Sequence, residues 1–217
     1  MYSDDTRKKL QDIISRKYIT WQADTCTAAR NFLCSGFSPN TTVKKDFDHQ
    51  SAIKEEQGKI LIPFIDENSL WLQPPDKTER FLTQGGEAEI YFNQQQADVI
   101  KVNDAVYYLT WLDFFTSLLI HNLLFEETHY TLKGFVLEGA VLKAVLQQNF
   151  VISDSAVDLK AVRSFLEYNG FENTRRNDYY NKELGLILEN IHDENVIMNS
   201  GVMFFIDTVF YISLPEA

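Results

Sequence analysis

The alternation of apolar and polar residues predicts a helical beginning for this chain. Apolar residues recur every three to five positions over residues 5–18 and again over 21–33, which is typical of amphipathic helices. Gly36 and Pro39 then follow, and both residue types end helices. Short apolar runs between residues 59 and 71 predict strands. The first 75 residues are therefore expected to hold helices and then short strands.

The rest of the chain alternates between strand-like and helical patterns. Residues 106–124 are apolar on nearly every side, which predicts a helix buried on more than one face. Residues 158–168 form an amphipathic pattern that Asn169-Gly170 closes. The predicted strands span 80–83, 89–92, 98–102, 131–137, 141–146, 184–188, 196–198 and 202–206.

A β-hairpin is predicted near the end of the chain, because Asn199-Ser200-Gly201 separates two apolar runs. Asn195 precedes Ser200 by five residues and Asp207 follows it by seven, so both are expected at the open end of the hairpin. An amide oxygen and a carboxylate are ligands that suit Mg²⁺. A surface hairpin with ordinary polar ends fits the same spacing.

Two further features are compatible with phosphate binding. Gly85 and Gly86 lie between two predicted strands, where paired glycines let backbone amides approach a phosphate closely. A plain hairpin turn uses the same residues. Lys101 lies within an apolar strand, and a lysine in that setting usually faces solvent or lies on an edge strand.

Composition and charge narrow the classes of protein. Hydrophobic residues make up 45% of the 217 residues, which indicates a folded globular chain. The net charge of −11 argues against a nucleic-acid binder or a binder of anionic membranes. The beginning of the chain has no apolar run typical of a signal peptide, and polar residues interrupt the apolar segment 106–125. With two cysteines, Cys26 and Cys34, expected as reduced thiols, a cytoplasmic protein is expected.

Other site chemistries find little support. None of the four histidines lies three or four residues from another histidine or a cysteine, so the spacing does not predict a zinc site. His192 is expected to hydrogen-bond within its own loop. The chain contains no Gly-x-Ser-x-Gly motif of a serine nucleophile.

The order of these elements resembles the protein-kinase-like fold. A glycine-containing turn, a strand lysine, a buried helix, two strands, a helix and the Asn…Asp hairpin follow one another. More narrowly, the chain resembles the kinase-like domain of polyvalent proteins from phages and conjugative elements. The resemblance covers about residues 78–213 and is carried by residues 85–91, 99–101, 111–115, 121–122, 127–130, 134–135, 191–196 and 205–207.

The resemblance implies a nucleotide site. Gly85 and Gly86 would lie over the nucleotide phosphates, and Lys101 would reach the α- and β-phosphates of ATP. The hinge beside adenine would consist of the residues that follow the predicted strand 141–146, namely Gln147, Gln148 and Asn149.

The resemblance also implies a metal site. Asn195 and Asp207 would hold Mg²⁺. Asp113, the acid within the long helix, is the candidate partner of Lys101.

Two departures bear on catalysis. Ala88 replaces the third glycine of the usual glycine-rich loop. Asn190 stands five residues before Asn195, where kinases of this fold carry an aspartate that orients or deprotonates the substrate hydroxyl. Glu189 is expected to point to the opposite face of its strand, which leaves Asp193 as the spare carboxylate. Nucleotide binding is therefore better supported than catalysis.

We expect an α+β chain with a reduced protein-kinase-like fold. A helical extension would span residues 1–75, an N-lobe with a five-stranded antiparallel sheet and one long helix residues 76–150, and a small C-lobe residues 151–217. The expected function is that of an ATP-Mg²⁺-binding kinase-like phosphotransferase. The alternative is a pseudokinase of a mobile element, catalytically inactive, that binds a protein partner through its acidic surface or residues 1–75. The phosphoryl acceptor and the oligomeric state are left open.

Overall fold

A computed structural model describes residues 2–36, 47–75, 81–93 and 97–213 of the protein. Its contacts divide the chain into two compact units. One unit comprises Met1–Lys17, Ser117–His129 and Val151–Ala217, and the other comprises Tyr18–Thr116 and Tyr130–Phe150. Among the described helices, none has an apolar stretch long enough to cross a membrane.

Three helices open the chain, and the apolar periodicity predicts the first two of them. They are α1 (Asp4–Ile14), α2 (Thr25–Gly36) and α3 (Phe47–Glu67). Ser3 caps the start of helix α1, and its hydroxyl accepts a hydrogen bond from the Thr6 amide at 3.1 Å. Helix α2 ends at Gly36 as expected, whereas Pro39 lies outside the described residues. Cys26 and Cys34, both within α2, are free thiols.

The strands predicted between residues 59 and 71 are wrong for most of that segment, because α3 continues to Glu67 with Pro63 inside it. Leu61, Phe64 and Ile65 are buried together with Gln57, and this spacing of three to four residues defines one helix face. Proline removes one backbone hydrogen bond from a helix. Here the buried face outweighs that loss. The remaining strand character is an isolated bridge between Trp71 and Phe135.

The predicted five-stranded antiparallel sheet is confirmed. Its strands are β1 (Phe81–Gln84), β2 (Ala88–Asn93), β3 (Asp98–Asn103), β4 (Thr131–Glu138) and β5 (Val141–Asn149). Their order in space is β1-β2-β3-β5-β4, so β3 is the central strand. Strand β5 runs three residues beyond its predicted end, since Gln147, Gln148 and Asn149 continue to pair with β3.

The long helix α4 (Trp111–Leu124) is confirmed as a buried helix, but it begins five residues later than predicted. Thr110 precedes it, and its hydroxyl accepts from the Asp113 amide at 3.0 Å and donates to the Asp113 carboxylate at 2.7 Å. These two hydrogen bonds cap the first turn of α4, so the helix begins directly after Thr110. The rings of Trp111 and Phe115 pack against Phe135 of β4.

A short 3₁₀ helix (Glu126–Thr128) follows α4 in the sequence. Helix α5 (Leu159–Tyr168) follows β5 in the sequence. As the sequence predicts, Asn169 ends α5, and Gly170 adopts a φ of +82°. A second antiparallel sheet has the order β11-β8-β7-β6. Its strands are β6 (Glu172–Arg175), β7 (Asp178–Asn181), β8 (Leu186–Glu189) and β11 (Val209–Ile212), and β9 (Val196–Asn199) and β10 (Val202–Phe205) form a separate hairpin.

Candidate functional site

Lys101 lies in the central strand of the five-stranded sheet and is only 5% exposed. Its ammonium donates a hydrogen bond to the Tyr130 hydroxyl at 3.2 Å. The expectation of an edge or solvent-facing lysine is therefore wrong. A buried cation in a strand is costly to maintain, which makes Lys101 a candidate for a functional residue.

A second lysine, which the sequence analysis did not single out, lies on the opposite face of the same sheet. Lys143 pairs with Glu138 at 2.7 Å and with Glu89 at 3.5 Å. Burial by itself would lower the pKa of Lys143, but the hydrogen bond and charge of Glu138, followed by the charge of Glu89, raise it. The Tyr91 hydroxyl donates to Glu89 at 2.5 Å, so this group is a connected polar cluster. Lys143 is thus held by charged partners of its own.

Gly85 and Gly86 form the tight connection between β1 and β2. The Gly85 amide donates to the Ala88 carbonyl at 2.9 Å, which closes the turn. Neither glycine adopts the left-handed backbone region. Gly86 lies against the hydroxyl of Tyr107, which follows β3. The turn is therefore the hairpin that the sequence predicts, with a neighbour that the sequence did not reveal.

The predicted hinge residues form the last part of β5. Gln147 donates from its side-chain amide to the Asp98 carboxylate on β3. Gln148 is 2% exposed, and Asn149 pairs in register with Asp98. These residues are part of the sheet, and a role beside adenine remains a prediction.

The open end of the β9–β10 hairpin joins the two residues that were predicted to hold a metal ion. Val196 pairs with Phe205, so Asn195 and Asp207 both lie just beyond the paired strands. The Ile206 amide donates to the Asn195 carbonyl at 3.0 Å. The hairpin itself and the position of both residues at its open end are confirmed.

The loop between β8 and β9 folds back onto this end of the hairpin. Asn190 has a φ of +70°, a conformation that asparagine tolerates better than most residues. The backbone carbonyl of Asn190 accepts from the Asn195 side chain at 2.9 Å. The side-chain amide of Asn190 donates to the Asp207 backbone carbonyl at 3.4 Å. The Asn195 amide also lies 2.9 Å from His192 Nε2, so the predicted hydrogen bonding of His192 within its loop is confirmed.

The two acidic neighbours of this loop differ in exposure. Asp193 is exposed on the loop surface. Glu189 belongs to β8, and burial, followed by the charge of Asp178 on β7, raises its pKa. Tyr179 pairs with Leu188, so Asp178 is a neighbour of Glu189 on the adjacent strand of the same sheet.

A buried histidine supports the backbone next to Asp207, and sequence reasoning missed this role. His121 of α4 lies 2.7 Å from the Thr208 hydroxyl through Nδ1 and 2.8 Å from the Thr128 carbonyl through Nε2. Since a carbonyl only accepts, Nε2 carries the hydrogen and Nδ1 accepts from Thr208. The Phe205 ring stacks on Phe125 with centroids 4.5 Å apart. Residues 205–208 are therefore held at one end by the stacking of Phe205 and at the other by the hydrogen bond of Thr208.

The donor set at the hairpin suits a metal ion that also binds a ligand. Asn195 offers an amide oxygen and Asp207 a carboxylate. Within the described residues, no group of three or more His, Cys, Asp or Glu side chains is arranged to hold a metal by itself. Mg²⁺ commonly uses one or two protein carboxylates together with substrate phosphates. These two residues fit that kind of site.

A sequence model of the serine/threonine/tyrosine kinases found in polyvalent proteins matches residues 54–214. The chain belongs to this kinase family. The comparison with curated proteins gives no match. The family match includes every residue that was predicted for the nucleotide and metal sites. It also begins earlier than the resemblance at residue 78.

The earlier start of the kinase family match agrees with the contacts of α3. Lys54 donates to the Ala105 carbonyl, which follows β3, and Gln57 accepts from the Leu112 amide of α4 at 3.0 Å. Burial lowers the pKa of Lys54, while the charges of Asp104 and Glu87 counteract this effect. Helix α3 thus packs on the segment between β3 and α4.

A cavity of about 600 Å³ lies elsewhere in this kinase-family chain. It is lined by residues between 18 and 70, among them Tyr18, Asp24 and Phe64. None of the predicted site residues lines it.

Proposed function

We propose that this kinase-family chain binds ATP with Mg²⁺ and acts as a kinase-like phosphotransferase. The observation that carries the proposal is the arrangement at the open end of the β9–β10 hairpin, where Asn195 and Asp207 are joined through the Ile206 and Asn190 hydrogen bonds. An amide oxygen and a carboxylate held at one place are the ligands that Mg²⁺ with a triphosphate requires.

The nucleotide is assigned to residues of the five-stranded sheet. Lys101 supplies an ammonium group for the α- and β-phosphates, and Gly85 and Gly86 lie over the phosphates. The hinge beside adenine is assigned to Gln147, Gln148 and Asn149. The burial of Lys101 supports this assignment, because a cation withdrawn from water is poised to attract an anion.

Mg²⁺ is assigned to Asn195 and Asp207. When bound, the ion neutralises part of the charge on the phosphates. The protein has a net charge of −11, so an anionic ligand depends on such local positive charge.

The transfer step needs a group that handles the proton of the acceptor hydroxyl. The bond from the γ-phosphorus to its bridging oxygen breaks, a bond to the acceptor oxygen forms, and the acceptor proton must leave. Asn190 can orient a hydroxyl but cannot take its proton. Asp193 is the exposed carboxylate of the same loop and is the proposed proton acceptor.

Asn190 also favours a second candidate function. With an amide at that position, the chain would be a pseudokinase of a mobile element that binds a partner protein. Such a pseudokinase carries out no phosphoryl transfer, whether or not it binds nucleotide.

A thermal-shift titration tests the proposal. We expect ADP or ATP to raise the melting temperature, and Mg²⁺ to increase that rise, since a ligand of the native state stabilises it by mass action. Phosphoryl transfer is then measured as ADP release. A nucleotide shift without ADP release supports a pseudokinase that binds nucleotide, and no shift at millimolar nucleotide contradicts nucleotide binding and the phosphotransferase with it.

A further inference from the structure

The side-chain amide of Asn195 is held in one orientation by its neighbours. Asn195 is 8% exposed, and its Nδ2 lies 2.9 Å from the Asn190 carbonyl. A backbone carbonyl has no hydrogen to donate, so the amide atom that faces it must be the nitrogen. This contact distinguishes the two ends of the amide on chemical grounds.

The second hydrogen of that nitrogen is directed at His192. Nδ2 of Asn195 lies 2.9 Å from Nε2 of His192. A neutral imidazole has one N–H and one acceptor nitrogen. If Nε2 carried the hydrogen, two donors would face each other at 2.9 Å. Nε2 is therefore the acceptor, and Nδ1 carries the hydrogen.

One contact competes with this assignment. The Glu194 amide lies 3.3 Å from Nδ1 of His192, which would suit an Nδ1 acceptor. The two contacts cannot both be satisfied by one neutral ring. A hydrogen on Nδ1 faces the Glu194 N–H across 3.3 Å, whereas a hydrogen on Nε2 would face the Asn195 NH₂ group across 2.9 Å. The first arrangement costs less, because repulsion falls with distance. Glu194 is also exposed, so water can accept from its amide.

Both hydrogens of the Asn195 amide are thus used inside the loop, and its oxygen is the end that these bonds leave for a ligand. We propose that His192 is a positioning residue that, by accepting from Asn195, sets the amide with its oxygen available to a divalent cation. The cation part of this inference rests on the proposed function, whereas the tautomer and the amide orientation do not.

The backbone of Asn195 is fixed without the His192 ring. The backbone amide of Asn195 donates to the His192 backbone carbonyl at 3.0 Å, and the backbone carbonyl of Asn195 accepts from the Ile206 amide at 3.0 Å. The ring therefore adds control over the side chain alone. If the acceptor is lost, only the Asn190 carbonyl still holds the amide nitrogen, so the amide turns over more readily and presents its NH₂ group, which repels a cation. Losing such a supporting bond typically lowers metal affinity about 10- to 100-fold.

The tautomer is tested by NMR on the full chain with ¹⁵N-labelled histidine, at a pH at which the ring is neutral. The signals of His192 are identified by their absence in His192→Gln. We expect an Nδ1–H tautomer with an unprotonated Nε2. An Nε2–H tautomer overturns the inference, and this measurement needs neither metal nor nucleotide.

The cation part is tested with two variants. His192→Phe keeps a ring but has no acceptor, while the side-chain oxygen of His192→Gln can accept at a similar distance. Mg²⁺ is titrated into each protein at saturating ADP, and the melting temperature is followed. We expect the Phe variant to need about tenfold more Mg²⁺ and the Gln variant to return to about the native requirement, with the ADP shift in the absence of metal unchanged.

The outcomes separate the two proposals. Equal Mg²⁺ requirements in the native chain and in His192→Phe overturn the positioning role. An Mg²⁺ requirement raised equally in both variants also overturns it, because the acceptor is then not what matters. If the native chain shows no Mg²⁺-dependent shift, the proposed function fails and the cation part with it, while the NMR result still decides the tautomer.

Discussion

The hydroxyl of Tyr107 occupies the space in which a side chain at residue 86 would begin. A β-carbon built on Gly86 would lie 2.0 Å from Tyr107 Oη and 3.1 Å from its Cζ. One built on Gly85 would have the Ala88 carbonyl oxygen as its nearest atom, at 3.9 Å. Two adjacent glycines therefore have different environments, and Gly86 has a local reason to be glycine besides any contact with phosphate.

Gly86→Ala is expected to lower the free energy of unfolding by about 1 kcal/mol, since the new methyl group displaces the Tyr107 phenol. The cost stays at the low end of overpacking because Tyr107 is half-exposed and can move. Urea denaturation measures the change. Gly85→Ala is the matched control and is expected to change stability by less than about 0.5 kcal/mol.

The same measurement in a Tyr107→Ala background tests the cause. There Gly86→Ala is expected to cost little, and an undiminished loss would show that Tyr107 is not responsible. A reduced affinity for ADP that persists in the Tyr107→Ala background would instead point to the proposed contact with phosphate.

Lys101→Met is expected to abolish the thermal shift caused by ADP while the protein remains folded. Methionine fills a similar volume and adapts to its surroundings, but it removes the charge proposed to reach the phosphates. The measurement is the melting temperature with and without millimolar ADP. An unchanged ADP shift would contradict the assignment of Lys101.

Lys143→Met is the matched control on the opposite face of the sheet. It removes the partner of Glu89 and Glu138 and is expected to lower stability by about 2 kcal/mol, because an uncompensated charge remains partly buried. The ADP shift should persist. Opposite patterns in the two variants would separate the binding role of Lys101 from the structural role of Lys143.

Asn190→Asp is expected to increase phosphoryl transfer. Aspartate also tolerates the positive φ of residue 190, so the loop should keep its conformation. The side-chain bond that is lost, to the Asp207 carbonyl, is long at 3.4 Å. ADP release by both proteins, with equal ADP binding as the control, gives the comparison. Equal rates would show that position 190 is not where the acceptor hydroxyl is deprotonated.

Asp154→Asn is expected to weaken the anchoring of the β9–β10 turn in a pH-dependent manner. The Ser200 amide donates to the Asp154 carboxylate at 2.7 Å, and this bond, followed by that from the Ser155 hydroxyl, lowers the pKa of Asp154. A carboxyl group with a lowered pKa in the folded state stabilises the protein above its unfolded pKa of about 3.9. That contribution is lost as the pH falls through the folded value.

The melting temperature measured from pH 7 to about pH 2 tests this expectation. The native chain should exceed Asp154→Asn at neutral pH, and the two curves should meet in acid. Ser155→Ala, which removes the lesser bond, should have a smaller effect. Parallel curves over the whole range would mean that Asp154 does not contribute through its charge.

Local patterns in the sequence were enough wherever one segment determines its own structure. The Asn199-Ser200-Gly201 turn fixes the β9–β10 hairpin, and Ser200 and Gly201 take the positive φ angles of +51° and +77° that such turns need. Asn195 and Asp207 follow from that register by counting. The periodicity of α4 likewise predicts a buried helix, because nearly all of its sides are apolar.

Other features depended on partners that are distant in sequence. The short apolar runs between residues 59 and 71 suggested strands, yet the packing of Leu61 and Ile65 keeps α3 helical. Strands β6, β7 and β11 are four residues each, and such short runs become strands through pairing with neighbours. From the sequence, Lys101 looked like a surface residue. Its burial follows from the central position of β3 in the sheet, which pairing with distant strands decides.

The sequence by itself determined the family, through its resemblance to the kinases of polyvalent proteins. It also determined the five-stranded sheet and the residues at the open end of the hairpin, since these follow from strand patterns, turn chemistry and residue order. Only the tertiary structure decided which side chains hold those residues in place. The hydrogen bond between His192 and Asn195, the ion pairs of Lys143 and the contact of Tyr107 with Gly86 are set by distances of a few ångströms that no local pattern encodes.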